Sequence, residues 1–386
     1  MNRPLEAIGQ HANPHFPLRF PIFPLLVFAL FCAVGCKKKS APAPGSAGIR
    51  NMTREFVFAA RNASGGRAEV GMRPEYASRQ AGKPQTLVAD RIYITVPLTK
   101  AGVPDKAAHD AIEAELDRVA EFHHLKRVAR PGAPGLERFD YLAGERRTQS
   151  IHFITPLPKA EPAPASSAQP RLAIVIDDLG HDLGQADSLF RLPYPLTISV
   201  LPHLEDSGEI AEEAHRRGYQ VMLHLPIASN AGNLDEPIEL HPGMNSAAVE
   251  TTFAAMLDTV PYAAGVNNHE GSLGTSDPKL MNELMPMLRQ RNLFFIDSRT
   301  TAATVAETAA HAAGVPAASR NVFLDDEQSA AAIHKQFELA IHDAREKGSA
   351  LAIGHPHPET LQVLGEMLPE AERQGVRLVF ASNLAR

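Results

Sequence analysis

The amino-acid sequence predicts an α/β fold: an irregular (β/α) barrel of about seven strands, preceded by a small α+β domain. Three observations predict it. From residue 171 to the end, apolar strand-like runs alternate with helical stretches, the pattern of parallel βα units. The first such run, Leu172-Ala-Ile-Val-Ile176, is largely β-branched and shows no alternation, which suits a strand covered on both faces. Ahead of it, the Pro/Ala/Ser-rich residues 156–170 form a stiff, solvated linker that sets a domain boundary.

Composition narrows the chemistry. Apolar content of 44% and charged content of 21% are globular values, and a net charge of −6 argues against nucleic acid as a partner. With no Trp, an aromatic platform for sugars would need Tyr or Phe. Both cysteines, Cys32 and Cys36, lie in one N-terminal apolar segment. The folded body therefore has no disulfide, thiolate metal site or cysteine nucleophile, and any metal must be held by His, Asp or Glu.

In chain order, residues 1–36 read as a targeting segment. Residues 20–36 are apolar and uncharged, and Lys37–Lys38–Lys39 follow at once. The 17-residue run contains Pro21 and Pro24 and sits at the lower limit for a membrane span. Ala33-Val-Gly-Cys36 resembles a bacterial lipobox, which makes Cys36 a lipidation site, although Ala33 stands where Leu is usual. Lipoprotein, uncleaved anchor and plain secretion all place the body outside the cytoplasm, facing the periplasm of a bacterial envelope. The first two also tie it to the membrane.

Residues 37–88 read as a tether, partly disordered, because periodic pattern is low there. Residues 89–155 read as the small α+β domain. Arg91–Val96 alternates as a strand, and residues 105–122 place Ala108, Ile112, Leu116, Val119 and Ala120 on one helical stripe. Two more strands fall near 125–129 and 148–154. His123 and His124 are read as a cationic helix C-cap. No chemistry is legible in this domain.

From 171 the expected strands are 171–177, 195–201, 219–225, 263–268, 293–297, 321–324, 350–354 and 376–381. Helices are expected at 205–217, 246–259, 277–290, 301–313, 328–347 and 359–374. The strand endings are the informative feature. They carry Asp177–Asp178, His203, His224, Asn267–Asn268–His269–Glu270, Asp297–Ser298–Arg299, Asp325–Asp326 and His355–Pro356–His357. Repeated Asp and His endings put these groups on one rim, where barrel active sites are built. One Asp and two His suffice for a catalytic zinc with a position open to water, and other first-row metals accept the same donors. A nearby carboxylate can take a proton from water, and a His on another strand can protonate a leaving group. Asp177 and Asp178 share a pocket only if the strand bends, and Gly180 permits such a bend.

Residues 171–384 also resemble the divergent polysaccharide deacetylase family, a branch of the NodB-type carbohydrate esterases. The resemblance rests on Ile176-Asp-Asp-Leu-Gly180, Leu223-His-Leu-Pro226, Gly265-Val-Asn-Asn-His-Glu-Gly-Ser272, Phe295-Ile-Asp-Ser-Arg-Thr300, Val322-Phe-Leu-Asp325 and Ile353-Gly-His-Pro-His-Pro-Glu-Thr360. It implies a divalent metal, zinc first, and hydrolysis of acetyl groups on an envelope or extracellular glycan. It also implies Asp177 as general base, Asp178 as metal ligand, His224 as the first imidazole ligand and His355 as general acid, with His357 competing for that role. The family's His-x-x-x-His has Ala228 at its second position here, so His269 is taken as the other imidazole. Asn267–Asn268–His269 replaces the Arg-Pro-Tyr motif, and either Asn is a candidate substrate contact. Asp297 and Arg299 are read as an orienting pair and Asp325 as a support behind the site. The departures from the family pattern keep open the alternative of an inactive envelope protein that binds glycan or a protein partner.

Overall fold

The computed structural model describes residues 44–77, 86–132, 135–157, 169–230 and 238–386. The expected targeting segment with Cys36, and most of the linker, lie outside the described residues. Among the described residues no helix is long and apolar enough to cross a membrane.

The small domain starts earlier than the sequence pattern implied. Helix α1 (Ser46–Ala63) and strand β1 (Glu69–Tyr76) occupy the stretch read as tether. Ile49, Met52, Phe56 and Ala60 recur at helical spacing and are buried, which is an amphipathic stripe of α1. Interspersed Arg and Asn residues mask that stripe in a plain reading. In β1 only Val70 is buried, and Pro74 interrupts the run, as an edge strand allows. Strand β2 (Leu87–Thr95), helix α2 (Lys106–Phe122) and strands β3 (Lys126–Arg130), β4 (Leu136–Ala143) and β5 (Arg146–Ile154) complete the domain. The mixed sheet has the order β1-β2-β5-β4-β3, with β2 and β5 parallel. Asp105 caps α2 by accepting the Ala108 N–H, and His123 at the C-cap turns its ring to Glu55 at 2.8 Å.

The barrel domain runs β6 (Arg171–Leu179), α3 (Leu183–Leu189), β7 (Thr197–Val200), α4 (Ser207–Arg217), β8 (Gln220–Ile227), α5 (Ser246–Leu257), β9 (Ala263–Glu270), α6 (Pro278–Gln290), β10 (Phe294–Asp297), α7 (Ala306–Ala312), β11 (Ala317–Ser319), β12 (Val322–Phe323), α8 (Ala330–Lys347), β13 (Ser349–Gly354), α9 (Pro358–Arg373) and β14 (Arg377–Val379). Asn245, Asp277 and Ser329 start α5, α6 and α8 by accepting backbone N–H groups of the first turn. The parallel sheet has the order β11-β10-β9-β8-β7-β6-β13-β12 and curls into a half-barrel. β14 pairs with the first residues of β6, on the edge that β7 takes over from Val175 onward. The sheet stays open between β11 and β12, where the chain crosses in two residues. Arg320 N–H donates to Asp297 O of β10 at 2.9 Å, and Asn321 N–H donates to Leu351 O of β13 at 2.8 Å.

Strand parity then divides the side chains. In β6, Leu172, Ile174 and Ile176 join the core under the helices, while Ala173 and Val175 join a second core inside the curl. Met222, Phe294, Ile296, Leu351 and Ile353 fill the same interior, and Val379, Ala381 and Leu384 close its lower end. Gly265 belongs there too: a Cβ on it would lie 2.5 Å from the Phe294 ring.

The two domains meet across α4, whose Glu209, Glu212, Glu213, Arg216 and Arg217 are all buried. Glu213 accepts from Arg138 Nε at 3.2 Å and also contacts Arg138 Nη2 and His152 Nδ1. Arg138 reaches Asp187 at 2.8 Å as well. These buried charges explain why β4, interrupted by Arg138 and Asp140, did not read as a strand. Burial opposes ionisation of Glu213, but His152 and Arg138 outweigh it and hold the carboxyl below its usual range. A depressed folded value stabilises the protein above the unfolded pKa and loses that stabilisation as pH falls through the folded value. Glu213→Ala should lower the unfolding free energy by about 3–5 kcal/mol at pH 7, because Arg138 and His152 are left buried without their partner. In denaturant unfolding, that deficit should shrink below about pH 4; a deficit that does not depend on pH would contradict the assignment.

Candidate metal centre

The inward columns of the curl end in polar side chains at the carboxyl edge of the sheet. Asp177 continues the Ala173–Val175 column of β6, and His224 continues Met222 of β8. Register places His224 opposite Asn267 and Pro226 opposite His269, so Asn267 and His269 face the same interior. His355 follows Ile353 of β13, whose pairing with β6 sets it beside Asp177.

Alternation alone would point Asp178 outward. Its φ of +59° is left-handed, and the β6–β7 register slips between Ile176 and Leu179. This bulge turns Asp178 into the cavity beside Asp177. The bend therefore sits at Asp178 itself, one of the few residue types that tolerate this region, rather than at Gly180. Gly180 completes it with φ +146°, where a Cβ would lie 2.9 Å from Leu204.

Three donor atoms converge. Asp178 Oδ1 lies 3.0 Å from His224 Nε2 and 3.1 Å from His269 Nδ1, and the two ring nitrogens are 3.1 Å apart. The hydrogen-bond network assigns the tautomer of His224. Asn267 Nδ2 donates to both oxygens of Asp177, at 2.9 and 3.0 Å, so its Oδ1 faces His224 Nδ1 at 3.0 Å. That oxygen also accepts from Ser199 Oγ at 2.5 Å. His224 must carry its proton on Nδ1, which turns the lone pair of a neutral ring at Nε2 towards Asp178. Asp178 Oδ1 is buried, yet it makes no well-aligned hydrogen bond. A lone pair against a carboxylate oxygen needs a proton or a cation between them. The donor set fits a cation: tetrahedral zinc with bonds of about 2.0–2.1 Å has ligand–ligand edges of about 3.3–3.4 Å.

Two further groups flank the triad. Burial pushes the Asp177 carboxyl up, partly offset by His224 and His355. With a proton rather than a cation between His224 and Asp178, burial is outweighed at both: Asp177 and Asp178 push the His224 pKa up, and the His224 and His269 imidazoles hold the Asp178 carboxyl well below the carboxylate range. His355 Nδ1 lies 3.0 Å from Asp325 Oδ1, and its Nε2 is 3.6 Å from Asp178 Oδ2. Asp325 Oδ2 accepts the His355 N–H at 2.6 Å and Thr360 Oγ1 at 2.8 Å, which locks the ring. Burial would lower the His355 pKa, but Asp325, Asp177 and Asp178 push it up to about 9. These residues open onto a cavity of about 390 Å³.

Other candidates fall elsewhere. Asn267 has both amide ends engaged within the protein, and Asn268 binds Glu270 O at 2.7 Å and Ser298 N–H at 2.9 Å. Asn267 thus serves the site from behind, whereas Asn268 also lines the cavity. Asp297 faces away and accepts Arg299 N–H and Thr304 Oγ1, both at 2.8 Å. It orients Arg299 through the backbone, so the two side chains form no ion pair. His357 turns to Gln328 at 3.0 Å, whereas His355 lines the pocket. Ser199, Ser298, Arg320, Phe323 and Thr360 were not anticipated. Ser199 shares the inward parity of β7, but a serine in a short apolar run carries no signal. Zinc at about a hundred times its Kd should stabilise the protein by about 2.7 kcal/mol, read as a rise in Tm. Asp178→Ala should abolish the rise; a rise retained in that variant would place the cation elsewhere.

Comparisons with known proteins bear on the family and the fold. Residues 174–385 match the family described as divergent polysaccharide deacetylase. The uncharacterised protein YibQ of Escherichia coli is 41% identical over 55% of this chain and 67% of its own. An uncharacterised protein of Haemophilus influenzae is 39% identical over 57% of this chain and 79% of its own. The crystal structure of an uncharacterised protein from Agrobacterium tumefaciens shares the fold, with a TM-score of 0.55 and 22% identity over 57% of this chain and 91% of that one. With the family match spanning more than half of its length, the chain belongs to the divergent polysaccharide deacetylase family.

Proposed function

We propose that the protein is a metal-dependent hydrolase that removes acetyl groups from a glycan of the bacterial envelope. The observation that carries this reading is the convergence of Asp178, His224 and His269 between a buried carboxylate and a cationic imidazole. A divalent cation held there, zinc by the preference of two imidazoles and one carboxylate, supplies Lewis acidity towards a water and an acyl oxygen.

The chain's own groups divide the proton transfers. Asp177 accepts the proton of the attacking water. Its raised pKa makes it a better base than a solvated carboxylate, and the two Asn267 hydrogen bonds aim it. His355, protonated at neutral pH, gives its Nε2 proton to the departing amine or hydroxyl, while Asp325 holds Nδ1. The second imidazole comes from β9 because Ala228 stands where the family's usual histidine would be. The apolar segment 20–36 with Lys37–Lys39 supports an envelope location, with anchoring through Cys36 or through the segment itself.

Acetate release from N-acetylated glycan oligomers tests the reading. Asp178→Ala should lose both bound metal and acetate release. His355→Gln and Asp177→Asn should each keep the metal and lose about 10²–10⁴-fold in kcat. A protein that binds glycan with equal affinity in all three variants, and releases no acetate in any form, would instead be the inactive binding protein.

A further inference from the structure

The pocket also carries two guanidinium groups without a counter-ion. Arg320 lies at the seam of the half-barrel, between β11 and β12, and is only partly exposed. Its guanidinium is fixed: Nε donates to Ser298 O at 2.6 Å, Nη2 donates to Arg299 O at 3.1 Å, and its carbon sits 4.7 Å from the centroid of Phe323. Phe323 in turn meets the His355 ring edge-on, with centroids 5.5 Å apart. This ties the guanidinium to the acid–base side of the pocket. Arg299 projects from a left-handed backbone position, φ +51°, pinned by its N–H to Asp297. Its side chain is exposed on the pocket rim.

Among the described residues, no carboxylate lies within ion-pairing distance of either group. Three arginines at the domain interface are paired with carboxylates, Arg91 with Glu209, Arg138 with Glu213 and Arg216 with Glu212. Of the four carboxylates that line the cavity, Asp177 and Asp178 are engaged with Asn267 and the imidazoles, and Glu270 and Asp326 lie beyond ion-pairing distance of both guanidinium groups. A partly buried guanidinium left without an anion is unfavourable, and the cost is recovered only when an anion arrives. Burial outweighs the more distant Asp177, Asp297 and Asp326 and lowers the Arg320 pKa.

We propose that Arg299 and Arg320 form an anion-recognition subsite, so that the glycan taken by this pocket carries a carboxylate or phosphate close to its acetyl group. This rests on the deacetylase reading of the same site. Arg320, held by its carbonyl contacts and by Phe323, presents a pre-oriented planar fork, and Arg299 closes on the same anion from the rim. A neutral acetylated sugar leaves both groups unpaired and binds more weakly.

Calorimetric titration of the full-length protein with two matched pairs tests this. Di-N-acetylchitobiose is compared with N-acetylglucosaminyl-N-acetylmuramic acid, which adds one lactyl carboxylate. N-acetylglucosamine is compared with its form phosphorylated on the primary hydroxyl. The anionic member of at least one pair should bind about tenfold tighter, and the pair that shows it identifies the anion. Arg299→Gln and Arg320→Lys should each reduce that ratio towards one, whereas Arg373→Gln, exposed on α9, should not. Equal affinity within both pairs, no binding of any of the four, or a preference that survives both variants would overturn the proposal. An anion preference without acetate release would sink the deacetylase reading and leave the subsite standing; acetate release without a preference would do the reverse.

Discussion

Two adjacent carboxylates at a strand end cannot face one cavity while the strand keeps its alternation. The left-handed turn at Asp178 breaks the alternation at the single residue where it matters. An L-residue in this region carries a cost of about 1–2 kcal/mol, and such strain persists where the surrounding structure over-determines it. Here the surroundings are the slipped β6–β7 register on one side and Gly180 packed under Leu204 on the other. Without the turn, Asp178 would point at the helical layer and the two imidazoles would face each other with no carboxylate between them.

Everything else at the site is positioned by parity and then by a second ring of hydrogen bonds. His224 and His355 are each the next inward residue after an apolar one, Met222 and Ile353, and Asn267 and His269 follow one another in the inward column of β9 that starts at Gly265, so the packing of the inner core sets their height and direction. Asn267 is the common support of two chemistries, since one amide aims Asp177 and fixes the proton of His224. Asp325 does the equivalent for His355. The site thus divides into two buried acid–base systems on either side of a triad of donors, both shifted upward but for different reasons: burial raises the Asp177 carboxyl, and neighbouring carboxylates raise the His355 imidazole. Different environments of this kind let one pocket hold a base and an acid at the same pH.

Much of this was legible in the sequence, for reasons that can be named. Apolar runs that each end in Asp or His mark strands whose carboxyl ends share a rim, and the barrel domain follows from that pattern. The sequence does not reveal which member of a polar pair faces in. Asn267 rather than Asn268 and Ser298 rather than Asp297 are decided by strand parity counted from the inner core, whereas His355 and His357 share one parity and are separated by the contact of His357 with Gln328. A bulge such as that at Asp178 reverses the count. The early start of the small domain was hidden because α1 buries a narrow stripe among arginines and asparagines. β4 was hidden because its buried charges belong to the domain interface. Arg320 was invisible because its role comes from a two-residue crossing of the open seam, which no local pattern announces.

The central claim is that Asp178, His224 and His269 together hold a divalent cation. X-ray absorption at the zinc edge of the purified, zinc-loaded protein tests it most directly. The account predicts stoichiometric zinc with a light-atom first shell and the multiple-scattering signature of two imidazoles. Absence of zinc uptake, or a shell with no imidazole, would contradict it.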